Sequence, residues 1–197
     1  MVQLPHLESG FNKLARAGYD KTSEATGFFG TPGSYNCIAW AAQDIHHWWW
    51  PTPDGYWLSW VKPREVTVFC FVTTFRWLGY RICRSSRCEL GFQKIALYAI
   101  HYSHTPTPVP STLQELHDFW EPTHMARQLP DGKWSSKCGP NEDIAHYTLD
   151  ALESYGLAYG SGDEYGCDVV YMRRLFLIAW VVRLVQYLHW NISELLG

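Results

Sequence analysis

Apolar and polar residues alternate most regularly in the stretch FQKIALYAI, residues 92–100. Strict alternation is typical of a β-strand, because successive side chains point to opposite faces of a sheet. The stretch therefore predicts a strand with two distinct faces. Its residues divide into Ile95, Leu97 and Ala99 on one face and Lys94, Ala96 and Tyr98 on the other.

A second β signal lies in THMARQLPDGKWSSKCG, residues 123–139. Two short runs are joined there by PDGK, in which Asp-Gly supplies the backbone conformations of a tight turn. We therefore expect a β-hairpin whose first arm begins near His124.

Three other stretches favour helices. NCIAWAAQDI, residues 36–45, is rich in alanine and offers Ser34 or Asn36 as an N-cap. PREVTVFCFVTTFRWLGY, residues 63–80, places Pro63 at a plausible first helical position. NEDIAHYTLDALESYG, residues 141–156, has apolar residues at helical spacing. Between the first two, WWWPTPDGYW contains two prolines and a glycine and predicts a turn.

This order of elements predicts an α+β fold, with a small antiparallel sheet packed against the helix that carries Cys37 at its N-terminus. We expect a single domain over residues 1–174, with a proline-rich loop inserted near 101–121, and a hydrophobic helix over 175–197. Only eight residues, LFLIAWVV, separate Arg174 from Arg183, whereas a membrane-spanning helix needs about 20. We expect this helix to pack on the domain or on another chain, with peripheral membrane attachment as the second alternative and a transmembrane anchor as the third.

Composition narrows the class of protein. The net charge of −3 is not the excess of positive charge that is typical of nucleic-acid-binding proteins. The first residues contain no apolar signal-peptide core, so we expect a cytoplasmic protein whose six cysteines are thiols. The sequence has neither a glycine-rich phosphate loop after a strand nor a complete set of paired metal ligands, so we expect no cofactor and no metal.

Cys37 is the candidate nucleophile. A helix N-terminus favours the thiolate, and a nearby imidazole can remove the thiol proton. His124, at the start of the hairpin, is the histidine that we expect to fill this role. The alternative is that Cys37 is a small buried residue, since free cysteine is among the most buried residue types.

A third group should orient His124. Ser135, Ser136 or Gln128 would lie within reach on the hairpin, depending on its register, and Ser136 completes the predicted catalytic set. Asp131 and Asp143 are alternatives, whereas Lys137 is interpreted as a surface charge.

The substrate cleft is predicted from residues around the nucleophile. Asn36 is a candidate second donor to the oxyanion, after the N–H of Cys37 itself. Tryptophans beside the nucleophile would line a groove, although a packed corner is the simpler explanation for them. The full predicted substrate-binding set is Asn36, Trp48, Trp49, Trp50 and Gln128.

Five sequence blocks carry a resemblance to a known family: YNCIAWA, WWWPTPDGYW, GFQKIALYA, THMARQLPDGKWSSKCGPNEDIAH and ALESYG. In this order they resemble an uncharacterised domain family of bacteria and fungi, a domain of unknown function, from near Leu4 to near Arg174. More distantly, a cysteine at a helix start followed by a histidine at a strand start is similar to papain-like cysteine peptidases of the cell-wall endopeptidase type. That similarity implies a papain-like fold, although Asn36-Cys37-Ile38 stands where those enzymes carry Asp-Cys-Ser.

Two functional hypotheses follow. The first is a cysteine hydrolase or acyltransferase that acts on a peptide, an isopeptide or a small amide through Cys37 and His124. The second is a non-catalytic interaction module, like those of toxins or effectors, that binds a protein partner through its aromatic face or forms a homo-oligomer through the C-terminal helix.

Overall fold

The computed structural model describes residues 3–101, 120–153 and 165–177. Most of the loop predicted near 101–121 and most of the helix predicted over 175–197 lie outside these ranges. Within them, no helix has the length and apolar character needed to cross a membrane.

The described residues form an α+β fold around one antiparallel sheet of seven strands. The strands follow the order β1-β6-β5-β4-β3-β7-β2 across the sheet. Their bounds are β1 Tyr19–Lys21, β2 Arg81–Cys83, β3 Phe92–His101, β4 Trp120–Gln128, β5 Trp134–Lys137, β6 Asp143–His146 and β7 Cys167–Leu175. The predicted strand and the predicted hairpin are confirmed as β3 and as β4 with β5, joined by a turn with Gly132 at φ +89°.

The helices are short. They are α1 Pro5–Gly10, α2 Leu14–Ala17, α3 Cys37–Ala42 and α4 Val68–Trp77, with a 3₁₀-helix at Leu149–Leu152. α3 ends where Gln43 adopts a left-handed conformation with φ 67°. α4 begins five residues after Pro63, because the Thr67 side chain accepts a hydrogen bond from the Cys70 N–H and caps the helix there.

The sheet separates two hydrophobic clusters. We call the face of Leu97 and Met125 the front face, because α3 and α4 pack on it. The opposite face, with Tyr98 and Ala126, is the back face; its cluster also contains residues of α1, α2 and the 3₁₀-helix. The predicted division of β3 into two faces is confirmed, since Ile95, Leu97 and Ala99 belong to the front cluster and Ala96 and Tyr98 to the back cluster.

The helix predicted over 141–156 is wrong. Residues 143–146 form β6, which pairs with β5 on one side and with β1 on the other, and the 3₁₀-helix Leu149–Leu152 follows in the part of this stretch that the structure describes, up to residue 153. The sequence DIAH alternates between the two faces, and pairing with two neighbouring strands outweighs the helical spacing of the later apolar residues.

Candidate functional site

The N-terminus of α3 is where two loops meet the front face. Asn36 is buried, and its Oδ1 accepts hydrogen bonds from the N–H groups of Ala39 (3.0 Å) and Trp49 (3.3 Å). Its Nδ2 donates to the Trp49 carbonyl at 2.7 Å. Asn36 therefore joins the start of α3 to the stretch WWWPTPDGYW, which we call the tryptophan turn. Its side chain caps the helix and holds this turn, whereas we expected it to donate to an oxyanion.

Cys37 is the first residue of α3 and is only 6% exposed. The backbone groups of Met125, Ile38 and Cys37 itself act to lower the thiol pKa. Burial is the stronger effect and raises the pKa of Cys37 to about 11. At neutral pH Cys37 is therefore a protonated thiol, although the backbone groups around it favour the thiolate.

Lys137 and Asp143 form a buried pair beside this helix start. They lie directly opposite each other on β5 and β6, and Lys137 Nζ is 3.9 Å from Asp143 Oδ1. Lys137 also donates to the Asn141 carbonyl, and the Tyr35 hydroxyl donates to Asp143 Oδ2 at 2.7 Å. The interpretation of Lys137 as a surface charge is wrong, because its side chain is fully buried.

Burial acts on both members of the pair. It lowers the pKa of Lys137 and raises the pKa of Asp143, although each partner opposes the shift of the other. The Lys137 charge also reaches Cys37, whose pKa it acts to lower. The front-face site thus combines a thiol, an amine whose proton is easier to remove than usual, and a carboxylate.

One wall of this site is formed by Trp40, on the exposed side of α3. The Arg127 guanidinium lies 4.0 Å from the centre of the Trp40 ring and donates to the Trp40 carbonyl at 3.2 Å. The indole N–H donates to Ser135 Oγ at 3.1 Å. These contacts fix the helix against β4 and β5.

His124 lies on the back face. It is directly opposite Tyr98 on the neighbouring strand, and its ring stacks on Tyr165 at 4.0 Å between centroids. Cys37 packs in the front cluster with Met125, the residue after His124. Because neighbouring residues of a strand point to opposite faces, the structure does not bring the predicted pair together.

The structure does bring His124 and Ser136 together. Ser136 Oγ is 3.0 Å from His124 Nε2 and 3.0 Å from His146 Nε2, and His146 Nδ1 is 2.7 Å from the Thr148 carbonyl. We call His124, Ser136 and His146 the back-face relay.

The carbonyl of Thr148 sets the direction of every bond in the relay. Since a carbonyl only accepts, His146 Nδ1 carries the proton and His146 Nε2 accepts from the Ser136 hydroxyl. Ser136 Oγ then accepts from His124 Nε2–H, and His124 Nδ1 has no hydrogen-bond partner among the described residues. Burial lowers the pKa of His124 well below its usual range and that of His146 to about 4, so both are neutral.

The remaining predicted residues have packing roles. Trp49 is buried and donates from Nε1 to Asp44 Oδ2 at 2.7 Å. Trp50 contacts Phe71 edge-on in the front cluster. Gln128, the last residue of β4, donates to the Ser86 carbonyl at 3.0 Å. Trp48 is half-buried and meets exposed Phe29 edge-on at 5.9 Å.

The part of the chain that the structure describes contains no group of three histidine, cysteine, aspartate or glutamate side chains that could hold a metal ion.

Sequence reasoning missed the pairing of Lys137 with Asp143. The signal was the alternation in WSSK and DIAH, which places these two residues on the face opposite Ser136 and His146 once both stretches are strands.

Comparison with known proteins gives one match. No curated protein and no solved structure matches the chain. The model of one family, described as a domain of unknown function (DUF7689), matches residues 30–173, a range that contains α3, the tryptophan turn, both hairpin arms and β6. Since this range covers well over half of the 197 residues, the chain belongs to the DUF7689 family.

Proposed function

We propose that the protein is a cysteine hydrolase or acyltransferase with Cys37 as the nucleophile. One observation carries this proposal: Cys37 is the first residue of α3, where backbone N–H groups of Cys37 and Ile38, together with that of Met125 on β4, act to lower the pKa of its thiol. Such donors stabilise a thiolate and, after attack, the oxyanion of a tetrahedral intermediate. In this respect the proposal keeps the papain-like arrangement of a cysteine at a helix start.

Lys137 is the proton acceptor that we assign to Cys37, in place of His124 on the other face. A desolvated lysine with a lowered pKa can act as a general base, and Lys137 is fully buried. Asp143, which lies opposite it, orients the amine and stabilises the ammonium ion after proton transfer.

The reaction follows from these roles. The thiol proton passes to the neutral amine of Lys137, and the Cys37 sulfur attacks the carbonyl carbon of an amide or ester. The bond to the leaving group breaks, the leaving amine or alcohol takes the proton from Lys137, and a thioester remains. Water or an acceptor amine then releases the acyl group from Cys37.

The test is acylation by an activated aryl ester, p-nitrophenyl butyrate, followed by peptide mass mapping. We expect the butyryl group on Cys37 in preference to exposed Cys88, with a rate that increases from pH 7 to pH 9. Lys137→Arg keeps the charge but cannot accept the proton, so it should slow acylation about 100-fold or more. Butyryl groups on Cys88 alone, or an unchanged rate in Lys137→Arg, would overturn the assignment.

A second candidate function is binding of a protein partner through exposed aromatic side chains. Phe28 is 72% exposed, and its neighbour Phe29 is 52% exposed and meets Trp48 edge-on. The high pKa and the burial of Cys37 favour this candidate, because a thiol that stays protonated is a poor nucleophile. The acylation experiment separates the two: a Cys37 that remains unmodified in the folded protein at pH 9 leaves partner binding as the explanation.

A further inference from the structure

The free edge of the sheet at β2 carries a concentration of arginine. Arg76 lies in the last turn of α4, Arg81 lies in β2, and Arg84 and Arg87 follow in the loop before β3. All four are exposed, and among the described residues no carboxylate lies within ion-pair distance of any of them. We call these four residues the arginine edge.

Local structure ties the arginine edge into one surface. Arg81 Nη1 donates to the Tyr80 carbonyl at 3.1 Å and reaches the Arg76 carbonyl at 3.5 Å. Across the ladder Arg81 is opposite Arg173, whose guanidinium pairs with Glu89. Glu89 also pairs with Lys94 at 2.6 Å, so this carboxylate is already neutralised. The edge therefore keeps a net positive charge in a chain whose overall charge is −3.

Exposed apolar side chains adjoin this charge. Leu90 is fully exposed, and the Phe176 N–H donates to the carbonyl of the next residue, Gly91, at 3.1 Å. Leu177 is 82% exposed. We call Leu90, Leu175, Phe176 and Leu177 the apolar ridge; Leu175 ends β7, two residues after Arg173. Trp77, the neighbour of Arg76 along the chain, is 64% exposed.

We propose that the arginine edge and the apolar ridge dock this protein on the surface of a bilayer that contains anionic phospholipid. Arginine on an edge strand also discourages pairing with other chains, but that role does not account for four exposed apolar residues beside it. Three of the four ridge residues are leucines, which cannot stack on bases and leave Phe176 as the single aromatic side chain of the ridge, so the ridge favours a lipid surface over a single-stranded nucleic acid. Interfacial binding combines these two features, apolar insertion and attraction of cations to anionic headgroups.

This inference is independent of the proposed thiol chemistry, because none of its residues belongs to the front-face site. The test is co-sedimentation of the full chain with vesicles of phosphatidylcholine alone and with vesicles that also contain phosphatidylserine. We expect binding to the second kind only, and a decrease in binding as salt is raised, because salt screens the attraction.

Two variants address the two parts of the surface. Each cation near an anionic surface contributes about fivefold to partitioning, so Arg81→Glu with Arg84→Glu should reduce binding at least about 20-fold. Leu90→Ser with Phe176→Ser should also reduce binding, with the salt dependence retained, because it removes insertion and leaves the charge. Arg16→Glu, an exposed arginine of α2 on the back-face side, is the matched control and should change binding less than twofold.

Several results would overturn the proposal. They are equal binding to both kinds of vesicle, no binding to either, and unchanged binding in both double variants, which would place the contact elsewhere in the chain. Binding to a single-stranded oligonucleotide with no binding to vesicles would replace the lipid surface with a nucleic acid. Thermal unfolding of each variant shows that it is folded before binding is compared.

Discussion

The two faces of the sheet carry buried polar clusters of different kinds, although the same strands supply both. Ser136 and Lys137 are neighbours on β5, yet Ser136 belongs to the back-face relay and Lys137 pairs with Asp143 on the front face. The relay is a chain of neutral groups, whereas the front-face pair brings an amine and a carboxylate together out of water.

This difference fits a structural role for the back face and, under the proposed function, a chemical role for the front face. The relay links β4, β5 and β6, and its hydrogen bonds have one consistent direction, which is how a sheet interior is stabilised and its register fixed. The front-face pair lies beside a thiol and shifts toward the neutral forms of both partners, which is how an acid–base pair is prepared. We therefore expect the free energy of unfolding to fall when a charge is removed from the front face, and to fall when a charge is added to the back face.

Removing the front-face amine should have the largest effect. Lys137→Met leaves Asp143 buried without its partner, and a stranded buried charge costs about 3–5 kcal/mol of unfolding free energy. Urea denaturation measures this loss. Lys137→Met combined with Asp143→Leu should recover most of it, whereas Lys133→Met, which breaks the partly exposed pair with Asp20, should cost about 0–1 kcal/mol. A loss below about 1 kcal/mol in the single variant would mean that Asp143 is already neutral in the folded protein.

Acid should act on the back face. Both relay histidines have pKa values lowered by burial, so the unfolded chain binds protons that the folded chain does not. Stability is therefore retained above the unfolded histidine pKa of about 6.5 and lost as pH falls below it, by about 2 kcal/mol per histidine between pH 7 and pH 5. Unfolding free energies from urea titrations at several pH values measure the slope.

Two neighbouring groups bear on this titration. Asp150 acts to raise the pKa of His146, and a charge on His146 would lower that of His124. His146→Gln should remove about half of the pH dependence and leave the rest to His124. A slope between pH 7 and pH 5 that is the same in His146→Gln and in the wild type would contradict the assignment.

Adjacent serines offer a direct comparison of the faces. Ser136→Ala strands one donor and one acceptor of two buried histidines, at about 1–3 kcal/mol for each, so we expect about 3 kcal/mol in total. Ser135→Ala, on the front face, removes only the acceptor of the Trp40 indole and should cost about 1 kcal/mol. Chemical denaturation of the two variants gives the difference. Equal costs would show that the relay contributes no more than an ordinary side-chain hydrogen bond.

The sequence predicts the elements of this fold that carry local signals and fails where a strand depends on distant partners. FQKIALYAI and the PDGK turn carry local signals, alternation and turn chemistry, and both elements form as predicted. The stretch 141–156 misleads because its helical spacing is local, whereas the pairing of β6 with β1 and β5 is not. Only a known register shows that DIAH is a strand.

The positions of the candidate site residues follow the same division: local signals predict some of them, and contacts between distant parts of the chain decide the others. The position of Cys37 at a helix start follows from the capping residue Asn36, a local signal. The side to which His124 points depends on which residues of β4 meet α3, and that is settled by packing between distant parts of the chain. Ser136 was expected beside His124 and is there, because both residues lie on one hairpin with fixed register.

The smallest effect should come from the aromatic cover of the relay. Tyr165 stacks on His124 with an angle of 6° between the rings, and an aromatic pair of this kind contributes about 0.5–1.5 kcal/mol beyond burial. Tyr165→Leu should therefore cost about 1 kcal/mol by urea denaturation while acylation of Cys37 continues at the wild-type rate. If acylation slows in step with the loss of stability, the back face governs the reactivity of the front face. If only stability changes, the sheet keeps the two clusters independent, as the opposite directions of Met125 and His124 predict.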